Sequence, residues 1–480
     1  MDEPVSVPLW LFVPIALFAA WSLLDRLLIP SGRWFVRRRL NRLIDEVNRR
    51  LQIGIQPFQL TKRQVLIDRL IYDPDVVAAA NAHAAEQKIP REAAMAEVYR
   101  YAHEIVPAFN AYLYFRLGYA LARLLARSFY RVRLGWMDAA GLGRVGPDST
   151  VVFVMNHRSN MDYVLVAFLA ADRTALSYAV GEWARIWPLQ SLIKSMGAYF
   201  VRRNSNNPLY RRVLERYVHM ATEAGVAQAV YPEGGLTRDG TLSAPRTGLL
   251  DYMLKSFDPA GKRDVVFVPV GINYDRVVED RSQLLAAQKA PRKSAGFALK
   301  TTLGFLARQL GLMLRGRWYR FGYACVNFGT PVSTRDWLAR RLHGDLRGLT
   351  REQRFEAMQA LAADLMGAVA AVVPVLPVPL VARVLLKASA PLSLLELKAE
   401  CQEEMERLRA VGAHVYLPRG DEDYAIEVGL RMLALRHLVE ETDGAWTANP
   451  QEAELLRYYA NSIAHLAAPA IEDHRVMAQA

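Results

Sequence analysis

From residue 148 to about 335 the chain alternates short β-rich runs with helical stretches, and no other feature limits its fold as much. The runs are Val151–Met155, Leu176–Val180, Ala198–Val201, Val226–Tyr231, Val265–Ile272 and Tyr323–Phe328. Helical stretches such as Pro208–Ala224 and Gly248–Phe257 separate them. Alternation of this kind implies a mostly parallel sheet with helices as crossovers. The predicted class is α/β, with a mostly parallel sheet flanked by helices over residues 141–338.

The flanks read differently. Residues 31–140 are basic and then helical, with helical periodicity in Lys62–Ile71. Phe109–Tyr130 is crowded with aromatics and arginines, which suits a core-facing helix or one at a bilayer interface. Residues 339–352 are polar and Arg-rich, the composition of a linker. Residues 353–480 are predicted helical, interrupted at Pro374, Pro377 and Pro379. A turn is expected at Asp443-Gly444, and Asn449-Pro450 opens a last helix.

At the N-terminus, Val5 to Leu24 is almost wholly apolar. Twenty helical residues span about 30 Å, roughly the hydrocarbon thickness of a bilayer. Asp2 and Glu3 precede the run, and Arg33, Arg37, Arg38, Arg39, Arg42, Arg49 and Arg50 follow it. A secretory signal has the opposite polarity. Residues 1–30 are therefore expected to be a membrane segment, spanning or interfacial, with the body of the protein on the cytoplasmic side.

The chain carries 60 Lys plus Arg against 48 Asp plus Glu, a net charge of +12, which suits an anionic partner. Its two cysteines, Cys325 and Cys401, are far apart, so neither a disulfide framework nor a zinc spacing is available. There is no GxSxG elbow and no Walker loop, which leaves serine hydrolase and P-loop nucleotidase readings unsupported.

Four segments that leave strands of the α/β region carry the candidate chemistry. In Asn156-His157-Arg158-Ser159-Asn160-Met161-Asp162, a histidine at a strand end lies one helical turn from a carboxylate. A carboxylate on one imidazole nitrogen fixes the tautomer and frees the other nitrogen as a base. In Gly197–Arg203, Arg202 and Arg203 leave a strand together, and guanidinium groups bind phosphate bidentately. In Tyr231–Gly240, glycines, Thr237 and Arg238 have the composition of an anion nest. Val268–Tyr274 is an apolar strand containing Pro269 and Gly271. A histidine base beside a phosphate pocket, with no protein nucleophile, suits deprotonation of a substrate hydroxyl.

In this order the four segments resemble the glycerolipid acyltransferase superfamily. Gly-Ala-Tyr-Phe-Val-Arg-Arg and Glu-Gly-Gly make the chain similar to the bacterial membrane glycerol-3-phosphate 1-O-acyltransferases. The likeness extends to Leu66–Pro74 and Leu456–Leu466, so it covers roughly residues 60–470. It implies that His157 and Asp162 are the catalytic pair. It also implies that Arg202, Arg203, Glu233, Gly234, Gly235, Thr237, Arg238 and Pro269 bind substrate. The expected reaction moves an acyl chain from acyl-CoA or acyl-carrier protein to the sn-1 hydroxyl of glycerol 3-phosphate, giving lysophosphatidate. No cofactor or metal is implied, and the expected location is a bacterial inner membrane with anionic lipids as partners.

One position departs. The third motif usually reads Glu-Gly-Gly-Arg-Ser-Arg, and here it is Glu-Gly-Gly-Leu-Thr-Arg, so Leu236 removes a guanidinium. The chain is also short for such enzymes, which implies a reduced N-terminal portion. A lysophospholipid acyltransferase with Leu236 facing an acyl chain is the alternative. A non-catalytic reading makes residues 394–466 a winged-helix-like interaction module. Glu396, Glu400, Glu403, Glu404 and Glu406 would repel nucleic acid, which is not expected as a partner.

Overall fold

The computed structural model describes residues 56–170, 175–181, 189–202, 205–287, 321–342 and 345–467, together with Pro8 and Phe12–Pro14. Apart from Pro8 and Phe12–Pro14, the expected membrane segment lies outside the described residues, as do its arginine cluster and Arg203. Among the described residues no helix is long and apolar enough to cross a membrane.

Eight strands form the main sheet: β1 (Arg131–Met137), β2 (Thr150–Met155), β3 (Ser177–Val180), β4 (Tyr199–Phe200), β5 (Gln228–Val230), β6 (Val265–Tyr274), β7 (Tyr323–Phe328) and β8 (Val332–Ser333). Their order is β1-β7-β6-β2-β5-β3-β4, with β8 also on β6. Pairing is parallel from β6 through β2, β5 and β3 to β4, while β7 and β8 run antiparallel to β6. β2 and β6 are buried along their whole length, as strands covered on both faces must be. Every strand from β2 to β6 therefore ends at the same edge of the sheet.

The sheet begins ahead of residue 141. β1 is an edge strand whose Arg131 and Arg133 face solvent, and it pairs in parallel with β7. Charged side chains are how edge strands resist further pairing, and they also hide the strand's apolar period. Its register slips between Leu134 and Met137, where the Asn327 side chain accepts the Trp136 N–H at 2.8 Å.

The local chemistry fixes the helical layer. Asp73 caps Pro74–Gln87 and Asn207 caps Pro208–Glu223, each with proline in the first turn. Arg216 of the second helix grips the Asp73 carboxylate. Buried residues of these helices, of Arg91–Ile105, Gly248–Leu254 and Arg351–Ala371, and of β2 and β6 share one core.

Residues 339–352 are not a free connection. Leu346 is buried in that core, and Arg347 pairs with Asp258 at 3.0 Å. Nor is the C-terminal region purely helical. Helices Pro377–Lys387, Leu394–Ala410, Glu422–Ala434 and Ala453–Asn461 accompany a small, partly exposed antiparallel sheet of β9 (Leu392–Ser393), β10 (Val439–Thr442) and β11 (Ala445–Ala448). β10 and β11 form a hairpin through Asp443-Gly444, both at positive φ, the turn expected from that dipeptide.

Candidate active site

His157 leaves the carboxyl end of β2, and Asp162 sits in the first turn of the helix Met161–Ala170. Their side chains are 2% and 0% exposed and meet at 2.8 Å between Nδ1 and Oδ2. The same carboxylate oxygen accepts the backbone N–H groups of Arg158 at 2.8 Å and Ser159 at 3.1 Å. The Tyr274 hydroxyl at the end of β6 donates to Oδ1. With the carboxylate accepting at Nδ1, that nitrogen carries the proton and Nε2 keeps its lone pair. Nε2 meets no hydrogen-bonding group among the described residues.

His157 lines a cavity of about 440 Å³. Tyr231 lies against its ring at 4.2 Å and Tyr163 meets it edge-on at 5.4 Å, so the imidazole is held by aromatic walls as well as by Asp162. Val201, Leu214, Val230 and Leu249 make much of the lining apolar. Among the described residues, Arg202, Arg211 and Arg246 line it and bring positive charge.

The arginines are held by different contacts. Arg202 forks onto Glu104 at 2.9 and 2.6 Å and lies between the rings of Tyr101 and Tyr210, each 5.0 Å away. Its guanidinium is fixed in place before any ligand arrives. Arg211 donates to the Ser205 carbonyl at 2.6 Å. Arg246 is held through its backbone, whose N–H donates to the Pro232 carbonyl at 2.8 Å. The stem of Arg246 passes over Gly234, where a Cβ would lie 2.7 Å from Arg246 Cδ. Gly234 also has φ +68, so two separate constraints require glycine there.

Other expected site residues do different work. Glu233 is buried, and it accepts the His157 N–H at 2.8 Å and the Ser243 N–H at 2.9 Å. Burial pushes its carboxyl above the usual range, against those two donors. It ties the two loops together and does not line the cavity. Thr237 returns the tie by donating its N–H to the His157 carbonyl at 3.0 Å, while its hydroxyl closes a turn onto Thr241 at 2.7 Å. Gly235 and Leu236 are partly exposed, Arg238 is exposed, and none of the three lines the cavity. Leu236, where the motif departs, is thus not among the described residues that line the cavity.

Pro269 is buried in β6 beside Val154 of β2. A proline is tolerated in this central strand because β8 pairs only with Val266 and Phe267, whereas β7 starts at Val270. Gly271 lets the end of the helix Arg351–Ala371 approach, since a Cβ there would lie 2.3 Å from the Val372 carbonyl oxygen. The fourth motif thus shapes the sheet beneath the site.

Sequence reasoning missed Arg246, Arg211, Glu104 and Tyr274. The available signal for Arg246 was the glycine beneath its stem, twelve positions earlier in the chain.

Residues 139–273 match the family described as Acyltransferase, and residues 310–471 match Glycerol-3-phosphate acyltransferase C-terminal region. A glycerol-3-phosphate acyltransferase of Ectopseudomonas mendocina (strain ymp) is 29% identical over 424 residues, 86% of this chain and 50% of that one. One of Pseudomonas aeruginosa (strain UCBPP-PA14) is 28% identical over 460 residues, 93% of this chain and 54% of that one. The chain spans about half the length of these relatives. A solved 1-acyl-sn-glycerophosphate (LPA) acyltransferase from Thermotoga maritima aligns with a TM-score of 0.29 and 16% identity, over 63% of this chain and 96% of that one. Both family descriptions fall in order along the sheet and its C-terminal helices, and over most of its length the chain is similar to glycerol-3-phosphate acyltransferases.

Proposed function

We propose that the chain transfers an acyl group from a thioester, acyl-CoA or acyl-carrier protein, to the sn-1 hydroxyl of glycerol 3-phosphate. The observation that carries this reading is a single one. A carboxylate-oriented histidine, whose buried Nε2 has no hydrogen-bonding partner among the described residues, lines a cavity together with Arg202, Arg211 and Arg246. The names of the relatives supply the acceptor.

In the proposed reaction His157 Nε2 takes the proton of the acceptor hydroxyl as its oxygen attacks the thioester carbonyl. The C–O bond forms, the tetrahedral carbon collapses, the C–S bond breaks, and the imidazolium returns its proton to the departing thiolate. The products are lysophosphatidate and a free thiol. Asp162 stays hydrogen-bonded to Nδ1 and stabilises the imidazolium that forms, as in other histidine-base sites. Arg202 and Arg246 hold the acceptor phosphate, one as a preset fork and one as a longer arm. The apolar lining takes the start of the acyl chain. The apolar run Val5–Leu24 anchors the chain in a bacterial inner membrane, with the arginines that follow it against anionic lipid on the cytoplasmic side.

The test is acyl transfer by membranes bearing the chain, with glycerol 3-phosphate and lysophosphatidate offered separately. Glycerol 3-phosphate is the expected acceptor. His157→Ala should lower turnover by roughly 100-fold or more with the fold kept, and Asp162→Asn should also be poor. Acylation of lysophosphatidate alone, or near-normal turnover by His157→Ala, overturns the reading.

A further inference from the structure

The residue after the histidine is a buried cation. Arg158 is 2% exposed. Its guanidinium donates to three backbone carbonyls, Ile272 at 3.2 Å, Gly240 at 2.7 Å and Ser462 at 2.9 Å. Each belongs to a different part of the fold: the end of β6, the loop that carries Glu233, and the end of the helix Ala453–Asn461. Gln283 donates to the Arg158 carbonyl at 3.0 Å and accepts the Tyr458 hydroxyl at 2.7 Å. Meanwhile the Arg158 backbone N–H is one of the donors that fix Asp162.

A second set of contacts joins the same C-terminal segment to the same loops. Asn461 donates to the Asp239 carbonyl at 2.9 Å, and Asn273 donates to the Ser462 hydroxyl at 3.2 Å. Gly240 has φ +87, and a Cβ there would lie 1.9 Å from the Tyr458 carbonyl oxygen. Contact this close, with a buried cation reaching across it, is more than packing requires. A neutral side chain of similar volume fills such space without desolvating a charge.

We propose that Arg158 is a positioning residue through which the C-terminal segment Tyr458–Ser462 sets the catalytic loop, so that the sheet without this segment is not a competent site. The proposal rests on the acyl-transfer reading only for its assay. Its physical content is that Arg158 fixes in one register the donor to Asp162, the loop that shapes the cavity mouth, and the C-terminal helix. The motif Leu456–Leu466, which the sheet does not explain, then has a role in the reaction despite contributing no residue to the cavity.

The experiment uses the full chain in membranes, with Arg158→Lys, Asn461→Ala and the pair combined. Lysine keeps the buried charge and loses the three-way fork. Asn461 is partly exposed, so its alanine variant should fold even where Arg158→Lys does not. Thermal midpoints, kcat, and KM for each substrate are read, along with the rate at which His157 is carbethoxylated in the absence of substrate. For Arg158→Lys, kcat should fall roughly 10- to 100-fold with both KM values within about 3-fold, as expected when reacting groups are misplaced by about an ångström. Asn461→Ala should lower kcat several-fold with the same KM pattern. The double variant should lose less than the product of the two, because both act on one connection.

Unchanged kcat in Asn461→Ala and in a folded Arg158→Lys overturns the proposal. So does a kcat loss that only follows the thermal midpoint, or fully multiplicative effects. Wild-type activity on glycerol 3-phosphate decides the functional reading. The variant-to-wild-type ratio, on whichever acceptor the wild type uses, decides Arg158. If the wild type uses neither acceptor, the His157 carbethoxylation rate decides it: a change of about 3-fold or more supports the proposal and an unchanged rate overturns it.

Discussion

At the residue scale the charges around His157 separate into those that face the cavity and those that build it. Arg246 faces it, and Arg238, eight positions earlier, is exposed to solvent outside it. Arg246→Ala should raise KM for the phosphorylated acceptor roughly 30-fold or more and leave KM for the acyl donor within a few-fold. Removing one partner of a desolvated charge pair costs about 2–5 kcal/mol. Arg238→Ala should leave both constants near wild type. Steady-state kinetics on the two variants checks this, and a larger effect at Arg238 would put the phosphate elsewhere. The His157–Asp162 contact was legible in sequence because five positions on one strand-helix turn already bring a histidine and a carboxylate together. Arg246 was not legible, because its place depends on a chain reversal between Gly234 and the helix Gly248–Leu254. Glu233 and Thr237 sat in the right motif, but their hydrogen bonds hold the loop that carries His157. Chemistry at a motif position does not say which way its side chain points.

At the element scale the β runs were legible wherever they were wholly apolar, and β1 was missed because its charges face water. The contact between the sheet and the helix Pro377–Lys387 is less visible in sequence and rests on Asp275. This buried carboxylate follows β6. It accepts the Tyr323 N–H at 2.7 Å and the Val378 N–H at 3.0 Å, which joins β7 to the first turn of that helix. Burial pushes its pKa up to about 7, against the two donors. An unfolded aspartate titrates near 3.9. Below about pH 4 the group is protonated in both states, and its contribution to stability is complete. As pH rises from about 4 to about 7 the unfolded chain releases the proton while the folded chain keeps it. The contribution is therefore lost across that window. Asp275→Asn cannot titrate. It should be less stable than wild type at pH 4, where one N–H loses its acceptor, and the difference should narrow toward pH 7. Thermal midpoints of both proteins at pH 4, 5.5 and 7 check this. A constant difference would mean that Asp275 does not titrate in that range.

At the scale of the whole molecule, charge and apolar surface bear on attachment. The net charge is +12, and seven arginines follow the apolar run within residues 33–50. Within the described residues, Leu117 and Leu124 are exposed on the segment Leu113–Phe129, near Arg123 and Arg127. That segment packs on the helix bearing Asp162, with Tyr119 stacked on Phe168 and Arg127 over the same ring. The proposed attachment to a bilayer has an apolar part and an electrostatic part, and salt separates them. The Debye length shrinks from about 10 Å at 0.1 M to about 3 Å at 1 M, which weakens contacts between arginines and anionic lipid and leaves an inserted apolar run untouched. Full-length protein on vesicles containing phosphatidylglycerol should stay bound when salt is raised from 0.1 to 1 M. A form lacking residues 1–30 should bind at low salt and come off over the same range. Co-sedimentation at a series of ionic strengths measures both. Release of the full-length protein by salt would mean that Val5–Leu24 is no anchor and that arginines alone hold the chain. Retention of the truncated form at 1 M would move the anchor to the apolar face around Leu117 and Leu124, and Leu124→Glu should then release it.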